Sequence, residues 1–243
     1  MEILRVKVDN LSKKEILEKI EFFLNEKGFH QIVTVNPEFI LQASKNEKFR
    51  EILNSSALSV ADGIGLKYAF ARFGKWLKCR IAGIDLMHEI LKIANDKKLG
   101  VYLAVNKDGL SAFDEIKLSL KKRYPELEID GAMFDPLGAY EIQNTRYKIL
   151  LCNFGAPYQE VFINSVKNDS IRIAMGVGGS FDFITGKVKR APKIMRILGL
   201  EWFWRLALQS WNDKEFLRKR WKRIFDAIIV FPIKIILAKN ENE

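Results

Sequence analysis

Apolar and polar positions along the chain follow two different periods, one typical of helices and the other of buried strands. Residues 16–24 carry apolar side chains three and four positions apart, behind a capping-box pattern formed by Ser12 and Glu15. Residues 30–36 instead form a short apolar run that ends at Pro37. The amino-terminal part therefore predicts one helix followed by one buried strand.

The same alternation continues to about residue 180, at lengths typical of βα units. It predicts an α/β fold with a largely parallel sheet flanked by helices. One helix is predicted over residues 38–54, followed by a strand that leads into Asp62. Further strands are predicted within residues 100–105, 127–134, 147–155 and 171–177, and further helices within residues 110–125 and 158–166.

Composition changes near residue 195, where four of the five tryptophans and a cluster of basic residues begin. We therefore predict a core over residues 1–194 and a helical appendage over residues 195–243. On a helix, one apolar face would consist of Leu217, Trp221, Ile224, Ile228 and Phe231. Two interpretations are open: an amphipathic helix lying in an anionic membrane surface, or a terminal helix docked on the protein's own core. The apolar stretch at residues 224–237 is shorter than the ~20 residues that cross a bilayer.

Charge and composition indicate a folded protein with an anionic partner and argue against a disordered or zinc-binding protein. The chain has 243 residues, 48% of them hydrophobic, which is enough for a full core and argues against disorder. Its net charge of +10 favours anionic partners such as phosphates, nucleic acid or a lipid surface. Two cysteines and two histidines show no zinc-ligand spacing. The start of the chain has no signal-peptide pattern, so we expect a cytoplasmic protein.

Polar residues directly after predicted strands are candidate ligand contacts, because ligands of doubly wound folds bind at the carboxyl ends of the strands. Thr34 and Asn36 follow one strand, although both are also suited to cap the next helix. Asp62 follows another strand and precedes two glycines. Its carboxylate is either a general base or a turn-capping group.

A glycine-rich turn follows the last predicted strand, with Gly176, Gly178 and Gly179 ahead of the basic residues Lys187, Lys189 and Arg190. Its amides would suit a phosphate, yet the spacing fits neither a dinucleotide fingerprint nor a P-loop, and a purely structural turn is the alternative. The chain has no Asp-X-Asp pattern for a metal that would neutralise a diphosphate. Arginines such as Arg220 and Arg223 would then have to do so.

Several segments in order resemble the WecG/TagA/CpsF family of bacterial glycosyltransferases. They are TVNPEFI (34–40), VADGIGL (60–66), RIAGIDLM (80–87), NFGAPYQE (153–160), the segment 176–192 and GLEWFWRL (199–206). The resemblance covers nearly the whole chain and implies a Rossmann-like core with a membrane-associating appendage. It also implies an inverting, metal-independent transferase that needs no cofactor.

The resemblance implies a UDP-sugar donor, usually carrying N-acetylmannosamine or its uronic acid, and an undecaprenyl-diphosphate-linked N-acetylglucosamine acceptor. Transfer would occur at the inner face of the membrane, and the oligomeric state is open, a homo-oligomer included. By motif, Asp62 is expected to be the catalytic base, and Thr34, Asn36 and Gln159 to line the pocket. The nucleotide is expected at Gly176, Gly178, Gly179 and Arg190, and the diphosphate at Arg205, Arg220 and Arg223, with Arg218 as an alternative to Arg220.

The chain also departs from the family pattern. NKDG (106–109) stands where a glycine-rich turn is usual, and GAMFDP (131–136) replaces a Gly-Tyr-Phe segment, so the sugars are left open. A basic nucleic-acid-binding module is the competing interpretation of the charge. Against it, the basic residues form no recognisable reader element, and we expect no nucleic-acid partner.

Overall fold

The computed structural model describes residues 1–138, 140, 142, 146–197, 199–201, 203–204 and 221–238. Six parallel strands form one sheet in the order β4-β3-β8-β7-β5-β6, which confirms the predicted parallel α/β fold. Its strands are β3 (His30–Val35), β4 (Leu58–Ala61), β5 (Gly100–Asn106), β6 (Glu128–Phe134), β7 (Ile149–Cys152) and β8 (Ile173–Gly176). A small antiparallel hairpin, β1 (Glu2–Ile3) and β2 (Val6–Lys7), precedes it.

Helices connect the strands and cover both faces of the sheet. They are α1 (Lys13–Asn25), α2 (Pro37–Ala43), α3 (Glu47–Asn54), α4 (Ile64–Arg72), α5 (Gly83–Asp96), α6 (Phe113–Arg123), α7 (Tyr158–Ser165), α8 (Ser180–Ile184) and α9 (Lys193–Ile197). Near the carboxyl terminus, α10 (Phe231–Leu237) follows helical residues 221–225 and a π-helical turn over Asp226–Val230.

Alternate residues of each strand enter opposite halves of the core, as the pleat requires. In β3, Ile32 packs with α1, α5 and α6 on one face, whereas Val33 and Val35 pack with α2, α3 and α4 on the other. Both faces of the sheet are buried, so its strands read as continuous apolar runs. The apolar segments therefore predict the strands well, but they carry no information on strand order.

Local signals explain where individual helices begin. Both hydrogen bonds of the predicted capping box form at α1, between Ser12 and Glu15. The single helix predicted over residues 38–54 is wrong, because the chain folds into α2 and α3. Asn46 caps α3 by accepting a hydrogen bond from the Phe49 amide at 3.0 Å, which ends the helical run between them.

The carboxyl-terminal segment 221–238 packs in the groove between α2 and α4. Phe231 and Ile235 are fully buried there, whereas Trp221 is half exposed. The predicted apolar face therefore does not stay on one side of the segment, because the π-helical turn shifts the angular position of the residues that follow it. No helix in the described part of the chain has the length and apolar content that a membrane crossing requires.

Candidate active site

The predicted site residues meet at one edge of the sheet. Asp62 directly follows β4, Thr34 lies near the end of β3, Gly176 ends β8, and Gln159 lies on the helix after β7. These four strands are neighbours in the order β4-β3-β8-β7, and all of them point the same way. The structure thus brings together residues that are up to 142 positions apart along the chain, from Thr34 to Gly176.

Asp62 lies against the amino terminus of α5. Its Oδ2 accepts a hydrogen bond from the Gly83 amide at 3.3 Å, and its own amide donates to the carbonyl of Val35 at 2.7 Å. The cap of α4 is Gly63, which has no side-chain hydrogen bond to offer. The helix amino terminus at Gly83 stabilises negative charge on the Asp62 carboxylate and fixes its position.

Thr34 and Asn36 lie beside this contact. A Cβ atom added to Gly83 would stand 3.2 Å from the Thr34 hydroxyl, so the glycine permits this close approach. Asn36 caps α2, since its Oδ1 accepts a hydrogen bond from the Phe39 amide at 3.0 Å. The capping role left open in the sequence is therefore observed for Asn36. Its amide nitrogen is still suited to donate to a ligand.

Gln159 joins the loop after β7 to the glycine turn after β8. Its Oε1 accepts hydrogen bonds from the amides of Gly155 at 3.1 Å and Gly178 at 3.0 Å. Its Nε2 donates to Glu160 Oε1 at 2.7 Å, and the side chain is almost fully buried. Gln159 thus positions two loops of the site from beneath.

Glu160 is the buried acidic partner of this arrangement. It is only 2% exposed, and its Oε2 has no hydrogen-bond partner among the described residues. Burial raises the pKa of Glu160 from 4.5 to about 7, although the hydrogen bond from Gln159 opposes this change. A carboxyl group that binds its proton near neutral pH therefore lies directly under the glycine turn.

The glycine turn uses several of its amides within the protein. Val177 donates to the Cys152 carbonyl at 2.7 Å, and Ser180 donates to the Val177 carbonyl at 3.1 Å. Gly178 has a φ of +49°, and a Cβ atom at Gly176 would overlap the Gln159 side chain. These glycines have clear structural roles. The contact of Gly176, Gly178 and Gly179 with a nucleotide stays a prediction.

Two of the predicted arginines form ion pairs at the edge of the site. Arg190 contacts Asp85 in α5 through two hydrogen bonds of 2.7 Å, which bring the loop after α8 to the Asp62 side. Burial disfavours the Asp85 carboxylate, but Arg190 outweighs it and lowers the pKa of Asp85. Arg223 contacts Glu38 in the first turn of α2 at 2.7 Å. Arg205 and Arg220, with Arg218, lie outside the described residues.

Sequence reasoning assigned no role to three residues of this edge: Gly83, Asp85 and Glu160. Gly83 and Asp85 belong to the RIAGIDLM segment, and the carboxylate of Asp85 in the first turn of a helix was the available signal. Glu160 did carry a signal, since it is one of the polar residues, with Pro157 and Gln159, that follow the strand predicted within residues 147–155. Among the described residues, no three His, Cys, Asp or Glu side chains are grouped as metal ligands would be.

Comparison with known proteins identifies the family. The family model described as glycosyl transferase WecG/TagA/CpsF matches residues 1–242. The chain belongs to this family. It is therefore an enzyme of the glycosyltransferase class.

Two relatives show how far the similarity reaches. Both are named N-acetylglucosaminyldiphosphoundecaprenol N-acetyl-beta-D-mannosaminyltransferase. The Bacillus subtilis protein is 35% identical over 217 residues, which cover 86% of this chain and 80% of the relative. The Staphylococcus aureus protein (strain MRSA252) is 33% identical over an alignment of 255 positions, which covers 99% of this chain and 94% of the relative.

The two loops that depart from the family pattern contact each other. The Lys107 amide donates to the Phe134 carbonyl at 2.9 Å, and its ammonium pairs with Asp135 at 2.8 Å. The loop after β5 and the loop after β6 are thus joined at the far end of the same edge. A sugar that reached this end of the site would meet these two loops.

Proposed function

We propose that this glycosyltransferase moves N-acetylmannosamine, or a related sugar, from a UDP-sugar to undecaprenyl-diphosphate-linked N-acetylglucosamine. The names of two relatives that align with 86% and 99% of the chain support this donor sugar and this acceptor. The reaction we propose inverts the anomeric carbon and needs no metal. It would serve cell-surface polysaccharide or teichoic-acid-type synthesis.

The position of Asp62 carries the mechanism. Its carboxylate lies at the sheet edge, held by the Gly83 amide and next to the Thr34 hydroxyl. In the proposed step, Asp62 accepts the proton of the acceptor hydroxyl while that oxygen attacks the anomeric carbon. The bond between the anomeric carbon and the UDP oxygen breaks, and the electron pair leaves with UDP. One displacement from the opposite side inverts the configuration.

Positive groups at the edge would neutralise the departing UDP. Arg190 and Arg223 both lie there, each already paired with a carboxylate that a diphosphate would compete with. We propose the same role for Arg205 and Arg220 on the basis of the sequence motifs alone, because both lie outside the described residues. Neutralisation by guanidinium groups is the reason why the proposed step requires no bound cation.

Replacement of Asp62 by asparagine tests the base. We expect turnover with UDP-N-acetylmannosamine and a lipid-diphosphate acceptor to fall ~10²- to 10⁴-fold, because asparagine accepts no proton. Asp96→Asn is the matched control, since Asp96 is an exposed aspartate at the carboxyl-terminal end of α5 with no proposed role. Near-normal turnover of Asp62→Asn would exclude the base assignment.

Two further measurements test the finer claims. The anomeric configuration of the product, determined by nuclear magnetic resonance, should be opposite to that of the donor. Turnover of the wild-type enzyme should persist in excess EDTA. Retained configuration would rule out single displacement, and loss of turnover restored by a divalent cation would rule out the metal-free reaction.

We also propose that segment 221–238 contacts an anionic membrane surface at the inner face of the membrane. While Phe231 and Ile235 face the core, a second set of apolar side chains on the same segment is exposed. Tryptophan, isoleucine and nearby basic residues are the composition of interfacial helices. The exposed set consists of Trp221, Phe225, Ile228, Ile229, Ile233, Ile236 and Leu237.

Charge substitutions on that exposed set test the contact without disturbing the core. Ile233→Asp combined with Ile236→Asp should release the protein from vesicles that contain anionic lipid. Leu118→Asp is the control, because Leu118 is exposed on α6 instead. Unchanged sedimentation of the double variant with vesicles would contradict membrane contact through this segment.

A further inference from the structure

A pocket of about 340 Å³ opens beside the Asp62–Gly83 contact, between the segment 79–85 and α9. The lining segment contains Ala82, directly before Gly83, and Asp85 in the same helical turn. Among the residues that line it, none belongs to the glycine turn at residues 176–179. The pocket is therefore distinct from the glycine turn that is predicted to bind the nucleotide.

Positive charge dominates this pocket. Four cationic side chains line it, together with two carboxylates, Asp85 and Glu201. Both carboxylates already contact Arg190, a residue outside the lining, at 2.7 and 3.5 Å. The cations are Lys13, Arg80, Lys193 and Arg196. The lining retains an excess of positive charge, which favours an anionic ligand.

Arg80 and Arg196 contact each other, and one N–H group of Arg196 lacks an acceptor among the described residues. Arg80 donates from Nη2 to the Arg196 carbonyl at 2.8 Å. The Nε of Arg196 is buried and has no hydrogen-bond partner in the part of the chain that the structure describes. A buried guanidinium N–H without an acceptor is unfavourable, and a phosphate oxygen would supply one.

We propose that this pocket binds a diphosphate group. Arginine side chains suit the oxygens of such a group, and lysines at the rim add charge without strict geometry. This inference rests on the proposed function for its two sources, the lipid-linked acceptor and the UDP of the donor. Because the glycine turn does not line the pocket, the acceptor is the source that the geometry favours.

Cys79 provides a reporter inside the pocket. The chain has two cysteines, and the other one, Cys152, is fully buried within the sheet. Cys79 lines the pocket and is partly exposed. Burial raises the pKa of the Cys79 thiol, although Lys13 and Arg80 partly oppose this, so alkylation is best followed at mildly alkaline pH.

The experiment measures the rate of Cys79 alkylation by iodoacetamide in the full-length protein, by peptide mass spectrometry. Three ligands are compared at equal ionic strength: inorganic pyrophosphate, UDP, and N-acetylglucosamine linked to a short prenyl diphosphate. We expect pyrophosphate to slow alkylation severalfold relative to sodium chloride. Protection by the prenyl compound identifies the acceptor as the source, and protection by UDP alone identifies the donor.

Variants separate binding in the pocket from effects elsewhere. Lys193→Gln and Arg196→Gln should each weaken protection, whereas Arg196→Lys should keep part of it. Lys14→Gln is the matched control, because Lys14 is next to Lys13 on α1 but its side chain is 86% exposed. Lys193 is exposed and has no described ion pair, so its replacement leaves folding intact.

The outcomes distinguish this proposal from the proposed function. Unchanged alkylation with all three ligands would overturn the diphosphate pocket even if the enzyme transfers sugar normally. Protection that persists in both Lys193→Gln and Arg196→Gln would overturn it as well. Conversely, absence of sugar transfer with clear pyrophosphate protection would reject the proposed function and leave the pocket in place.

Discussion

The contacts beneath the glycine turn and the arginine pairs at the rim of the site are held in different ways. Gln159 is 4% exposed and makes three hydrogen bonds to neighbouring loops and to Glu160. The Arg223 side chain is 70% exposed and pairs with the carboxylate of Glu38. Arg190 is intermediate, with a side chain that is 21% exposed.

This difference separates residues that shape the site from residues suited to bind a ligand. Water does not replace a lost partner in the interior, so the buried amide of Gln159 must keep its partners. An exposed arginine exchanges one carboxylate for a phosphate at little cost, since surface ion pairs contribute little to stability. The buried pair therefore fixes the loops, and the rim arginines remain available to a diphosphate.

Removal of the Gln159 amide is expected to have the largest effect on stability. Gln159→Leu leaves the amides of Gly155 and Gly178 without their acceptor, which should lower the free energy of unfolding by roughly 3 kcal/mol. Urea unfolding measures this loss. Gln42→Leu serves as the control, because Gln42 lies on α2 away from these loops. Equal stability of the two variants would contradict the positioning role of Gln159.

Glu160 should make stability depend on pH. Its pKa is about 7 in the folded protein and near 4.5 when exposed, so the folded state binds the extra proton between these values. Glu160 should therefore lower the free energy of unfolding by roughly 3 kcal/mol in total as pH rises from about 4.5 to 7. His88 acts in the opposite direction: burial lowers its pKa from 6.5 to about 4, so it raises the free energy of unfolding as pH rises between these values. Burial raises the pKa of the neighbouring Cys152 well above its ordinary value, so that thiol does not titrate in this window.

Glu160→Gln removes the titrating group, so the free energy of unfolding of the wild type relative to this variant should fall by that amount across the window. Urea unfolding of the variant and the wild type at intervals between pH 5 and 8 gives the comparison. Glu21→Gln, on the exposed face of α1, should follow the wild type throughout. A difference between the wild type and Glu160→Gln that stays constant from pH 5 to 8 would show that Glu160 does not titrate in this range.

The rim pairs should show the smallest changes in stability. Arg223→Gln should change the free energy of unfolding by less than about 1 kcal/mol, whereas Arg190→Gln should lower it by about 1–2 kcal/mol because Asp85 stays partly buried without its partner. Turnover should fall in both variants. Lys98→Gln, which breaks an exposed pair with Glu126, controls for charge alone. Unchanged turnover in both arginine variants would remove them from the leaving-group role.

Prediction from sequence succeeded where the signal is local. The capping box at Ser12 and Glu15 and the buried run of β3 each depend on neighbours a few positions away. It failed at α2 and α3, where Asn46 ends the helical period. The apolar face predicted for the carboxyl-terminal segment also differs from the buried face in the structure. The π-helical turn at Asp226–Val230 breaks the 3.6-residue period on which that prediction was based.

By itself, the sequence determined the six strands of the sheet, most of the helices, the parallel α/β class and the family, because these depend on periodicity and on motif order. Three contacts were decided only by the tertiary structure. The Asp62 carboxylate accepts a hydrogen bond from the Gly83 amide, and Arg190 pairs with Asp85. Gln159 accepts hydrogen bonds from the loop after β7 and from the glycine turn. Hydrogen bonds and ion pairs form between groups that the strand order brings together. That order follows from how the whole core packs and from no single segment of the chain.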